Sequence, residues 1–157
     1  MAMTVKNWIL LTAGMLGVIT SASAADLVKM AERSPEIQTF MRIVDTAGLT
    51  DTFKSKGPFT LFVPSDSAFD RLPDNVKKSL LSDKKSAAKL ISDHVVQSKL
   101  LVVEISPGKT KTIDGSQISL TSDNGLVKID GASVIQSDLV ADNGVIHIID
   151  KVVQPDE

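Results

Sequence analysis

His94 and His147 are the only imidazoles in the chain, and Ser65 is the serine that could be set beside one of them as a nucleophile. A Ser-His-Asp hydrolase needs a serine whose oxygen is presented to a histidine base, and in α/β-hydrolases a Gly-x-Ser-x-Gly elbow marks that serine. Ser65 lies in Pro64-Ser65-Asp66 with no Gly-x-Ser-x-Gly elbow around it, so a triad of Ser65, His94 and an aspartate has no local support. Metal chemistry fares no better, because neither histidine has a His-x-x-x-His partner or a cluster of acidic ligands nearby. A buried ring bonded to backbone is the plainer reading of both. The chain has no cysteine, which removes thiolate zinc sites, thiol nucleophiles and disulfides. Asp123-Asn124-Gly125 and Asp142-Asn143-Gly144 look superficially like calcium loops, yet lack the alternating oxygen ligands and closing glutamate. They read as turns. No metal and no cofactor is expected, and no enzyme. Lys plus Arg number 17 against 19 Asp plus Glu, leaving no basic excess to neutralise a nucleic-acid backbone.

These side chains must be positioned by two different kinds of element. In the first half, Asp26 is an N-cap before Leu27, and Ser34-Pro35 restarts a helix with proline in its first turn. Ile37, Phe40, Met41 and Val44 then form one apolar stripe, which Gly48 stops. After the turn at Lys56-Gly57-Pro58, Phe59 to Val63 reads as a strand, and Pro64-Ser65 ends it with a fresh helix cap over Phe69. Pro73-Asp74 opens another helix, and Ser82 is expected to cap one more that points Ala87, Leu90 and Ile91 inward. From Thr110 the period changes to short alternating runs separated by Asp114-Gly115, Asp123-Asn124-Gly125, Asp130-Gly131 and Asp142-Asn143-Gly144, a series of hairpins. Val145 to Ile149 is almost continuously apolar and predicts a central strand, with Ile146 and Ile148 on one face and Val145, His147 and Ile149 on the other. Asn143-Gly144 is expected to enter it through positive backbone angles. Helices first and a β-meander afterwards predict an α+β domain.

Three blocks carry a family likeness. Thr60-Leu61-Phe62-Val63-Pro64-Ser65-Asp66-Ser67-Ala68-Phe69 resembles the first signature block of fasciclin-like (FAS1) domains. Asn143-Gly144-Val145-Ile146-His147-Ile148-Ile149-Asp150-Lys151-Val152-Val153 resembles the second, and Asp93-His94-Val95-Val96 resembles the central histidine segment, with Asp93 where many members have tyrosine. The resemblance implies a fasciclin-like fold, with N-terminal helices packed on an antiparallel β-rich wedge or sandwich. It also implies a noncatalytic extracellular module of adhesion. In animal members an Asp-Ile pair before the second block is associated with integrin recognition. The matching stretch here is Gln136-Ser137-Asp138-Leu139-Val140, so Asp138 and Leu139 are partner-binding candidates, and His94 joins them through the family's histidine segment. The plainer reading of the same residues has Asp138 bonding amides in a bend, Leu139 filling the core and His94 buried.

Lys6 followed by the apolar run Trp8 to Thr20 and by Ala22-Ser23-Ala24 reads as a signal peptide over residues 1–24, leaving 25–157 as a single FAS1 domain. The run falls short of the roughly 20 residues that a spanning helix needs, so no stable membrane insertion is expected after cleavage. A secreted or periplasmic location follows. The expected partner is a cell-surface or matrix protein or glycan. One small domain joins two surfaces only with two binding faces or by pairing with itself, which makes a homodimer part of this reading. The alternative is an exported protein that holds a small lipid or glycan in an apolar cleft.

Overall fold

The computed structural model describes residues 25–153 apart from Lys56; the expected leader, residues 1–24, and the last residues, 154–157, lie outside the described residues. Six helices come first: α1 (Leu27–Glu32), α2 (Gln38–Ala47), α3 (Thr50–Lys54), α4 (Asp66–Asp70), α5 (Asp74–Ser82) and α6 (Lys84–Asp93). One strand, β1 (Phe59–Pro64), lies among them, and β2 (Val95–Val96), β3 (Gly108–Lys111), β4 (Gln117–Asp123), β5 (Leu126–Ile129), β6 (Ala132–Ala141) and β7 (Gly144–Ile149) follow.

Local chemistry sets most of these boundaries. The Asp26 carboxylate accepts from the Lys29 amide at the start of α1, and the Ser65 hydroxyl accepts from the Ala68 amide at the start of α4. Gly48 ends α2 at φ +72°, a backbone angle that costs glycine little. Two caps differ from expectation. Ser34 makes no cap bond; its hydroxyl donates back to the Met30 carbonyl, and Pro35–Ile37 forms a 3-10 turn before α2. Ser82 closes α5, while Asp83 caps α6 by accepting from the Lys85 and Ser86 amides, because a carboxylate offers two acceptors where a hydroxyl offers less. Helix α3 was not signalled in the sequence, where Thr50–Lys54 is too short to show a period.

The strands form one seven-stranded sheet in the order β2-β1-β7-β6-β5-β4-β3. Five of its pairings are antiparallel, as expected. The sixth is a correction: β1 and β7, at its heart, run parallel, from Phe59 opposite Gly144 to Pro64 opposite Ile149. Every residue of both strands is buried, because both faces are covered. On one face Phe59, Leu61, Val63, Ile146 and Ile148 meet Leu27, Phe40, Ile43, Val44 and Phe53 from the helices. On the other, Phe62 and Ile149 join Val96, Ile118, Leu120, Val127 and Ile129, so residues from the two ends of the sheet share one core. The sheet therefore curls over itself, with the helical layer outside the β1–β7 pair.

The turn into β7 corrects another expectation. Asn124 and Gly125, and Asp130 and Gly131, do have positive φ, but Asn143 and Gly144 do not. Asn143 serves as a hub instead. Its Oδ1 accepts from the Leu27 amide (2.9 Å), its Nδ2 donates to the carbonyls of Phe53 (2.6 Å) and Ser55 (2.8 Å), and its own carbonyl accepts from the Phe59 amide (3.0 Å). Gly144 is required by close approach: a β-carbon there would overlap the Phe59 carbonyl oxygen.

Candidate functional site

Strand β6 slips register twice, between Val134 and Gln136 and between Gln136 and Leu139. Asp138 occupies the second irregularity at φ +57°, a left-handed angle that aspartate tolerates better than branched residues. The bulge lets two of its groups point to one place. Its amide donates to His147 Nδ1 (3.1 Å), and its Oδ1 accepts from the Val102 amide (2.9 Å). His147 Nε2–H in turn donates to the Leu100 carbonyl (2.6 Å), which fixes the neutral ring with its proton on Nε2. Burial lowers the His147 pKa, partly opposed by the Leu100 carbonyl and by the Asp138 carboxylate, 3.9 Å from Nδ1.

The segment held in this way is a strap over the face of β1 and β7. The Thr60 hydroxyl donates to the Ser98 carbonyl and accepts from the Leu100 amide, while Val102–Glu104 forms a 3-10 turn. Val103 stands at its tip, 86% exposed. The Asp138 side chain is 41% exposed. Leu139, paired with Ile146, is half-buried against the helical core, so the exposed apolar side chains near Asp138 in sequence or through its bonds are Ile135, Val140 and Val103.

His94 belongs to a different network. It is fully buried, Nδ1–H donates to the Leu90 carbonyl (2.7 Å), and Nε2 accepts from the Val153 amide (2.9 Å). Burial lowers its pKa to about 4, the Leu90 bond opposing. Both nitrogens are thus taken by backbone, and Ser65 is engaged as a helix cap. Among the described residues, no group of three or more His, Cys, Asp or Glu side chains could hold a metal ion. His147 likewise sits in the scaffold, stacked on Phe62 at a centroid distance of 5.6 Å.

Comparison with known proteins settles the family. The Fasciclin domain model matches residues 35–155, most of the chain and all three signature-like blocks.

This chain belongs to the fasciclin family.

Its relatives include Protein sll1483 of Synechocystis sp., 34% identical over 135 residues that cover 85% of this chain and 75% of the relative. Human periostin is 30% identical over 141 residues, covering 83% of this chain and 17% of periostin. Immunogenic protein MPB70 of Mycobacterium bovis is 25% identical over 130 residues, covering 80% of this chain and 66% of its own. A solved FAS1 domain pair from the insect cell adhesion molecule fasciclin I superposes with a TM-score of 0.73 at 17% identity, over 83% of this chain and 51% of the pair. The fasciclin fold is therefore shared with a protein of which this chain spans half.

Within the fasciclin domain, the apolar cavity behind α1, lined by Leu27, Phe40, Phe53 and Ile146, holds about 10 Å³. That is room for about one water and not for a lipid. The open cleft beside Asn143 reaches about 600 Å³ but is walled by Asp26, Lys54, Lys99 and Asp142, with no aromatic face for a sugar ring among the described residues. Sequence reasoning pointed to Asp138 and missed the residues that hold it. His147 was assigned to the scaffold without its partner, and nothing in the spacing of Thr60, Leu100 and Val102 marks them as one strap. Asn143 reads from the sequence as a turn residue, and only the fold brings Leu27, Phe53 and Ser55 to its side chain.

Proposed function

We propose that this fasciclin domain is an exported, noncatalytic interaction module that contacts a cell-surface or matrix protein or glycan through the surface around Asp138. The observation that carries the reading is the mounting of Asp138: a part-exposed carboxylate fixed on a bulge, its amide on a buried histidine and one oxygen on the strap. Fixing a charged group in advance lowers the ordering cost of recognition. Val103 and Val140 supply exposed apolar contacts beside it, and a carboxylate so presented can complete the shell of a divalent cation held by a receptor. Leu139 contributes by seating the bulge on the core. His94 contributes by holding the fold rather than by touch. The solved relative comes from a cell adhesion molecule, which accords with this role. No helix among the described residues is long and apolar enough to cross a membrane, so attachment to a surface is proposed to run through binding.

The test is cell attachment to the immobilised protein in manganese and in EDTA. Asp138→Asn keeps an oxygen for the Val102 amide but removes the charge, and Val103→Glu alters an exposed tip without touching the network. Manganese-dependent attachment that both variants lose, with unchanged circular dichroism, supports the proposal. Attachment indifferent to both variants sinks the Asp138 surface, and attachment by none of the three proteins sinks adhesion. Bridging through a homodimer is tested separately by sedimentation at high concentration, where a strictly monomeric boundary counts against it.

A further inference from the structure

Because the sheet curls, its two end strands, β2 and β3, come together where the β3–β4 hairpin docks on the end of α6. One backbone bond crosses this seam, from the Ile113 amide to the Val95 carbonyl (2.9 Å). Beside it lie two acids. Asp93, the last residue of α6, is 6% exposed, and no donor reaches its buried Oδ1 among the described residues. Its only ion-pair partner there is Lys89, 3.6 Å from Oδ2 and itself largely exposed. Asp114, in the hairpin turn, comes within hydrogen-bonding reach of the Asp93 side chain. Its Oδ1 already accepts from the Thr112 hydroxyl (2.5 Å) and the Ser116 amide (3.1 Å). Two carboxylates in contact cannot both ionise cheaply away from water, and the negative end of the α6 dipole adds to the cost at Asp93.

We propose that Asp93 and Asp114 share one proton, carried by Asp93 and donated to the Asp114 carboxylate, and that this proton latches the two ends of the sheet together. Two ionised carboxylates both accept and leave the Asp93 oxygen orphaned, and a proton between them removes the deficit. The surroundings favour this division of roles. Burial first, then Asp114, pushes the Asp93 pKa up to about 6, with Lys89 opposing. For Asp114, burial acts upward but is outweighed by bonds from Thr112, Ser116 and Asp93, which hold its pKa below the usual carboxylate value. The other groups packed here do not compete for the proton: His94, next in the chain, is neutral with both nitrogens engaged, and β2 and the Thr112–Ser116 turn contribute no further charge. The latch is closed below pH 6 and loses its proton above it, loosening the seam at the hairpin.

The test is a carbon-13 NMR titration of the side-chain carboxyls with amide exchange at Ile113, corrected for the intrinsic effect of pH. The Asp93 carboxyl titrates near pH 6, and Ile113 protection falls by roughly tenfold or more between pH 5 and pH 7.5. Asp93→Asn, whose amide donates to Asp114 at every pH, keeps Ile113 protected throughout. Asp114→Asn lowers the Asp93 midpoint. An Asp93 midpoint at or below 4, or the same loss of protection in Asp93→Asn as in the wild type, overturns the proposal. So does a titration abolished by millimolar calcium, since the pair would then hold a cation in place of the proton.

Discussion

At the scale of single residues, both histidines carry hydrogen bonds that only a neutral ring can make. Protonating His94 would set an N–H against the Val153 amide, donor to donor. Its folded pKa of about 4 lies below the ordinary 6.5, so the unfolded chain binds the proton more tightly and His94 stabilises the fold fully above pH 6.5. That contribution, about 3 kcal/mol, is lost as pH falls from 6.5 towards 4. Asp93 has the opposite sign. Its pKa is raised, so its contribution is full below about 4 and disappears by about pH 6. Over pH 4 to 6 the two slopes oppose and should largely cancel, so urea unfolding of the wild type should vary little with pH in that range. His94→Gln should uncover the Asp93 slope, a fall in stability as pH rises from 4 to 6, while costing about 3 kcal/mol near neutral pH through lost packing and backbone groups left without partners; a profile parallel to the wild type would mean that His94 does not titrate in this range. Asn143→Ala, which removes three bonds to Leu27, Phe53 and Ser55, should cost about 2 kcal/mol or more by the same measurement.

At the scale of elements, the strap and the turn into β7 make the sharpest claims. Asp138→Ala removes the acceptor of the Val102 amide, so exchange at that amide should rise while the amides of β1 and β7 stay protected; equal protection in the variant would show that Asp138 does not hold the strap. Gly144→Ala places a methyl on the Phe59 carbonyl, between two backbones that cannot move apart without unpairing β1 from β7, and should cost about 3 kcal/mol or more in urea. Much of this scale was legible in the sequence. The hairpin turns, the α4 cap and the two faces of β7 follow from residue types a few positions apart, where short-range sterics decide. The Asp83 cap was missed because Ser82 and Asp83 compete for one role and only the geometry of the α5–α6 corner ranks them. Asp138 was legible, because acidic residues mark bends, but its anchoring was not: His147, Leu100 and Val102 meet it only through the curl of the sheet.

At the scale of the whole molecule, the sequence pattern yields two layers and the order of helices before strands, and it cannot yield the parallel pairing of β1 with β7. Apolar runs buried on both faces say that a strand is central, and say nothing of its direction relative to a partner many residues away. That pairing also governs when the domain can come into existence. The strand that completes both cores follows every other element of the domain in the chain, so helices α1 to α6 and strand β1 lack their central pairing partner until Gly144–Ile149 is available. Contacts so distant along the chain must overcome a large loop-closure entropy, which makes folding slow compared with a helical bundle of the same size. For the export proposed here, this delay is useful: a domain unable to lock its core before β7 emerges stays unfolded long enough to be threaded across a membrane. A version ending before Gly144 should accordingly remain open to protease along its length, and a protected N-terminal half in such a fragment would refute the delay.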